Sequence, residues 1–147
     1  MQKTSIAHII NPVKAKENSV LHTVQPITFA SIDMAKRFCK EVEVENIAVC
    51  FTEDAVIIPS EFKVIDTLEQ SVQDFGNFTQ PTRYPLLKEV LQKGISATTA
   101  PYIIYTNMDI ALMPHFYTTV TAFINEGHDV VLVNRRGLLA KYKSVDE

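Results

Sequence analysis

Apolar positions along the chain fall in blocks that switch between strand-like runs and helical spacing. Ser5 to Ile10 is a short apolar run closed by Asn11-Pro12, a pair that ends a strand. Lys14 to Ser19 is polar and reads as a loop. From Thr28 to Val42 the apolar residues Phe29, Ile32, Met34, Ala35 and Phe38 recur at helical spacing, with Thr28 as N-cap. Asn46 to Thr52, NIAVCFT, is β-branched and aromatic and reads as a buried strand, with Glu53 and Asp54 marking its carboxyl end. Val56–Ile58 and Phe62–Leu68 are weaker strand candidates, the second the better of the two. Ser71 to Thr82 is turn-rich and polar, a loop. A helix starts near Pro85, a residue suited to a first turn, with Leu86, Leu87, Val90, Leu91 and Ile95 on one face. Tyr102–Tyr105 is a strand that enters an acidic turn. The next helix carries Phe116, Tyr117, Val120, Phe123 and Ile124 on one stripe, with Gly127 just past its end. Asp129–Val133, DVVLV, reads as a last buried strand running into Asn134-Arg135-Arg136.

Strands thus alternate with helices, and several strands are apolar on both faces. That pattern predicts an α/β fold, a three-layer sandwich with a mostly parallel sheet and helices on both sides. Ligands of such sheets bind beyond the carboxyl ends of the strands. Asn11, Glu53, Asp54, Asn107, Asp109 and the 134–136 cluster are expected at that rim.

Bulk composition narrows the function class. The 147 residues are 46% hydrophobic and 21% charged, with a formal net charge of -3 and a pI near 5.8. No basic block provides the electrostatic footprint of a nucleic-acid binder. No window is long and apolar enough for a membrane span, and the N-terminus lacks a signal-peptide pattern. Cys39 and Cys50 lack metal-ligand spacing and read as reduced core residues of a cytoplasmic protein. With four glycines the chain has neither a G-x-G-x-x-G nor a Walker A loop, which argues against dinucleotide-dependent dehydrogenases and P-loop NTPases. No G-x-S-x-G or Cys–His pairing anchors a hydrolase. His8 reads as a half-buried strand residue and His115 as a surface or capping residue. His22 and His128 fall in loops.

The chemistry concentrates in YIIYTNMDIALMPHFY, Tyr102 to Tyr117. Asn107 and Asp109, two positions apart after a strand, point to one side if the segment is extended and can offer oxygen ligands to Mg²⁺ or Mn²⁺. The other reading is that Asn107 shapes a turn and Asp109 caps the helix beginning near Pro114. Arg135 and Arg136 either grip a diphosphate or carboxylate or form an ordinary solvated strand exit.

The segment Arg83 to Ala122 resembles the middle of a GT-A glycosyltransferase, especially the inverting family-2 enzymes. There a helix precedes a strand ending in D-x-D, and a proline a few residues on opens the next helix. Asn107 stands at the first acidic position, Asp109 at the second and Pro114 at the proline. The resemblance implies a nucleotide-diphosphate sugar as ligand, a divalent metal (Mn²⁺ or Mg²⁺) on Asp109 with help from Asn107, and hexosyl transfer. It implies that Asn11-Pro12 touches the nucleotide, that Glu53 or Asp54 contacts the base or ribose, and that Arg83 or Arg135 reaches the phosphates. The order of elements matches over nearly the whole chain, whereas the specific motif covers about forty residues. Residues 1–147 are expected to form one α/β domain equivalent to the nucleotide-sugar-binding half of a truncated GT-A domain. A missing C-terminal half or a partner would supply the acceptor site. The alternative is a non-catalytic nucleotide-binding or interaction module on the same scaffold.

Overall fold

β1 (Thr4–Ile10) forms because its β-branched residues Ile6, Ile9 and Ile10 can be buried on both faces of a sheet, and residues 6–10 are all inaccessible to solvent. The computed structural model describes residues 3–79, 83–137 and 141–146. After β1 come α1 (Val20–Phe38), β2 (Val42–Val49), β3 (Lys63–Ile65), α2 (Leu87–Ser96), β4 (Tyr102–Thr106) and α3 (Phe116–Asn125). Two short 3₁₀ segments, Thr52–Ile57 and Val72–Phe75, lie between β2 and α2.

The chain is α/β, with four strands in one parallel sheet ordered β3-β2-β1-β4. Ile6 to Ile10 pair in register with Tyr102 to Thr106, and Ile47 to Val49 with Lys63 to Ile65. Two compact units can be distinguished. One comprises Ile6–Lys14 and Glu45–Asn107; the other comprises Met1–Ser5, Ala15–Val44 and Met108–Glu147.

The first unit holds the paired residues of the sheet and α2. Its core joins Ala7, Ile9, Ile47, Val49, Phe51, Leu68 and Val90, with Tyr105 and Ile65 packed at its margin. Glu89 of α2 ties down the loop before it, accepting from the amides of Glu69 and Gln70 at 3.1 Å each and pairing with Lys93 at 3.3 Å. Burial alone would raise the Glu89 carboxyl. The two amide donors and Lys93 outweigh it and hold the group below its ordinary value.

The second unit contains α1 and α3, which pack against each other. Helix α3 ends in a Schellman motif. Gly127 adopts φ +83°, its amide donates to Ile124 O, and the amide of His128 donates to Phe123 O.

Several expectations change. Helix α1 starts at Val20 with Ser19 as its cap, Ser19 Oγ accepting from Leu21 N at 3.3 Å, so Thr28 is an interior residue and His22 is helical. Pro26 hides this start, because a proline in mid-sequence reads as a break although it lies within the helix. The helix stops at Phe38. Val42 to Glu45 belong to β2, where Val42 and Val44 are buried and Glu43 is exposed, a period of two. Of Phe62–Leu68 only Lys63–Ile65 is strand, and Val56 and Ile57 lie in a 3₁₀ turn. Helix α2 begins at Leu87, two residues after Pro85, which instead bridges to Ser71. The loop read over Ser71–Thr82 contains the 3₁₀ turn, and its last three residues lie outside the described residues. Asp129–Val133 forms no strand, and Val130 and Leu132 are 79% and 93% exposed. An apolar β-branched run has strand propensity, but a strand needs a neighbour to take its backbone hydrogen bonds. His8 is fully buried rather than half-buried.

Among the described residues no helix is long and apolar enough to cross a membrane. Both cysteines, Cys39 and Cys50, are buried free thiols.

Candidate functional site

The chain leaves β1 toward β2 on one side and returns through β4 on the other, so the strand order reverses between β1 and β4. Open parallel sheets take their ligands outside the carboxyl ends at such a reversal. The first sheet unit places Asn11, Pro12, Glu53, Asp54, Arg83 and Asn107 at or after those ends.

Asn11 joins the ends of two strands, its Nδ2 donating to Val49 O at 2.7 Å. Pro12 is fully buried. Two residues on, the amide of Lys14 donates to Asp54 Oδ1 at 2.7 Å, so the turn after β1 is clamped to the 3₁₀ turn after β2. Asp54 is 5% exposed. Burial first, and the neighbouring Glu53 charge second, raise its carboxyl above the ordinary value, against the lowering pull of the Lys14 amide and of the Arg83 and Lys14 charges.

The pH consequence of Asp54 has a definite sign. A carboxyl raised on folding binds its proton more tightly in the folded state, so its contribution to stability falls as pH rises from about 3.8 through the raised value. It is recovered on acidification across the same window. Asp54→Asn keeps an acceptor for Lys14 and removes the titration. Denaturant midpoints measured from pH 4 to 7 should show the variant gaining on the parent as pH rises. A constant difference between the two across this range would refute the assignment.

Above the same rim, Arg83 stacks on Phe51, its guanidinium carbon 3.7 Å from the ring centroid, and forms an ion pair with Glu53. Phe51 is otherwise buried, while the side chains of Arg83 and Glu53 are about half exposed. The segment carrying Arg83 is held by Val72 N donating to Tyr84 O at 2.8 Å and by the Ser71–Pro85 bridge. Cys50 beneath it is pushed up to about 12 by burial and by the charges of Asp54, Asp66 and Glu53, which makes it an inert thiol.

At the end of β4, Asn107 is exposed and its Oδ1 accepts from the Tyr105 hydroxyl at 3.1 Å. One residue earlier, Thr106 Oγ1 lies 2.8 Å from Nε2 of His8. Burial lowers the His8 imidazole to about 3, so it stays neutral.

Asp109, Arg135 and Arg136 belong to the other unit. Asp109 is exposed, and Arg135 Nη1 donates to its Oδ2 at 3.4 Å. Arg136 is exposed. The N-cap of α3 is His115, without a side-chain cap bond, so Asp109 does not cap that helix. The turn bearing Asp109 is held instead from α1. Thr28 Oγ1 donates to Met108 O at 2.9 Å, and Leu112 N donates to Ser31 Oγ at 2.9 Å.

Among the described residues no group of three or more His, Cys, Asp or Glu could by itself hold a metal ion. In its own unit Asp109 offers one carboxylate, and Arg135 already pairs with it.

Phe51, the Lys14 amide, Tyr105, Thr28 and Ser31 are absent from the residues picked by motif. Phe51 had a signal, an aromatic at the end of a buried strand. The Lys14 amide had none, because backbone donors carry no sequence mark. No family model, no curated protein and no solved structure matches the chain.

Proposed function

We propose that the chain is a glycosyltransferase-like domain of GT-A type, the nucleotide-binding half, which takes a nucleotide-diphosphate sugar together with Mn²⁺ or Mg²⁺. The observation that carries this reading is the reversal of strand order between β1 and β4, with Arg83, Phe51 and Glu53 stacked beyond the carboxyl end of β2. A guanidinium on a ring, with a carboxylate beside it, offers a flat face and both hydrogen-bonding signs to a nucleotide base. Asp54 is buried and spent on the Lys14 amide, so Glu53 is the carboxylate assigned to the base or ribose. Asn11 and Pro12 form the turn that the nucleotide would meet.

Asp109 would hold the metal, assisted by Asn107 two positions earlier in the chain, and Arg135 and Arg136 would attend the diphosphate. When bound, the ion would neutralise charge on the departing diphosphate. The acceptor site and its general base would come from further sequence or from a partner. A cytoplasmic location belongs to the same proposal.

One observation favours the non-catalytic alternative. Asp109 is already engaged by Arg135, and Asn107 by the Tyr105 hydroxyl. A module that binds a nucleotide through Arg83 and Glu53 needs neither residue free.

Calorimetric titration with UDP- and GDP-sugars, with and without Mn²⁺, tests the proposal. Asp109→Ala should abolish the metal-dependent part of binding. No binding of any nucleotide under any condition would sink the reading. Sugar transfer or hydrolysis would separate an enzyme from a binding module.

A further inference from the structure

We propose that Asp129–Val133 adds as a fifth, parallel strand to the free edge of β4 in a second copy of the chain, two copies exchanging these segments reciprocally. The proposal does not rest on the nucleotide reading.

Val130, Val131, Leu132 and Val133 are consecutive and between 42% and 93% exposed. Apolar residues scattered singly on a surface need no explanation, whereas a contiguous run marks a surface that something covers. Three valines give this run strand propensity, yet among the described residues it belongs to no sheet. β4 offers the complement. Among the described residues its strand neighbour is β1, on one side, and Tyr102 and Ile103 at its start are 39% and 36% exposed. An edge five residues long and a run five residues long thus stand unpaired on the same chain. A free edge is a template for another strand. Exchange between two copies covers both features on each chain, and any other partner would leave one of them bare.

The hinge favours exchange. Glu126, Gly127 and His128 alone separate α3 from the segment, and their amides donate to Ala122 O, Ile124 O and Phe123 O in the helix end. Short hinges promote the swapping of an element between copies. Charge then sets the direction. Asp129 opens the segment and Arg135-Arg136 follow it, while Asp109 stands beyond the carboxyl end of β4. Parallel addition brings Arg135 of one copy level with Asp109 of the other, whereas antiparallel addition would bring Asp129 there, like charge on like. Parallel is also the sense of the existing ladders. Within one copy the same two residues already pair at 3.4 Å, in solvent. Exposed pairs are weak, so this one selects direction and register while the backbone ladder and the apolar run supply affinity. With Arg135 level with Asp109, Asp129 falls level with Ile103 of the other copy.

Analytical ultracentrifugation of the full chain should show a dimer that dissociates on dilution. Alternate amides of a strand face its neighbour, so at least one of Val131→Pro and Leu132→Pro should sediment as a monomer. Val56→Ser, at an exposed apolar position outside the segment, should remain dimeric. Far-UV circular dichroism checks that the proline variants stay folded. Cross-linking then identifies the occupant. Ile103→Cys mixed with Asp129→Cys should give, on oxidation, a disulfide between chains, and the doubly substituted chain should be linked into covalent dimers. A disulfide closed within one doubly substituted chain would show that the segment covers its own edge, and would overturn the exchange. A parent that is monomeric at every concentration, a dimer that survives both prolines, or a mixture without cross-links would overturn it as well.

Discussion

Replacing Gly94 with valine is expected to cost the protein about 3 kcal/mol of stability and to lower its melting temperature by roughly 10 °C. Gly94 is in the last turns of α2 and faces Ile9 of β1. A Cβ at this position would meet Ile9 Cδ1 at 2.7 Å, Cγ2 at 2.9 Å and Cγ1 at 3.0 Å. Ile9 is fully buried in the core of the sheet unit, in one cluster with Ile47, Val49 and Val90. A glycine inside a helix ordinarily costs about 1 kcal/mol relative to alanine. Propensity alone therefore predicts that Gly94→Ala is stabilising, whereas the contact with Ile9 predicts a loss. The contact should win, because three heavy atoms fall inside normal separation and interiors pack without slack. Pairing Gly94→Ala with Ile9→Val, which deletes Cδ1, should recover part of the loss beyond additivity. Thermal unfolding decides it, and a higher melting temperature for Gly94→Ala would show that the helix moves away at little cost.

Arg83→Ala is expected to weaken nucleotide binding by ten- to a hundredfold while leaving stability nearly unchanged. The stability half follows from exposure. The Arg83–Glu53 pair is about half in solvent, and exposed pairs contribute less than about 1 kcal/mol. The binding half follows from geometry. The guanidinium lies flat on Phe51, and its outer face and remaining donors are what a base or diphosphate would meet. Arg83→Lys separates charge from shape, since an ammonium keeps the charge but cannot stack or donate in a fork. Affinity should remain low in the lysine variant by calorimetry. Full affinity with lysine would leave the stacked platform without a role.

The two units differ in how much of them could be read from residue order. The strand end at Asn11-Pro12, the buried run before Glu53 and the strand before Asn107 were all legible, because residues buried on both faces leave continuous apolar runs. Glu53 and Asp54 could be placed near the rim from those boundaries, whereas Arg83 came only from the family resemblance. The stacking of Arg83 on Phe51 could not, because the two residues are thirty-two positions apart and the segment carrying Arg83 is held by the Val72–Tyr84 hydrogen bond and the Ser71–Pro85 bridge. Thr28 shows the opposite failure. Two residues after a proline and before an apolar stripe it has the marks of an N-cap, yet it is an interior residue whose hydroxyl bonds to a distant turn.

Local chemistry determined, from sequence alone, the α/β class, the parallel character of the sheet, the strand–turn–helix around Asp109 and the left-handed glycine at the end of α3. Each of these depends on residues within about one turn or one strand of each other, so composition and spacing suffice. Tertiary structure decided which apolar runs became strands. Val42 to Glu45 joined β2, while Asp129 to Val133 stayed exposed and unpaired among the described residues. It also decided what the acidic positions do. Asp54 is buried against the Lys14 amide, Glu53 pairs with Arg83, and Asp109 stands on a turn pinned by two hydroxyls of α1. Backbone donors and buried hydroxyls act through position, and their positions come from contacts between segments far apart in the chain.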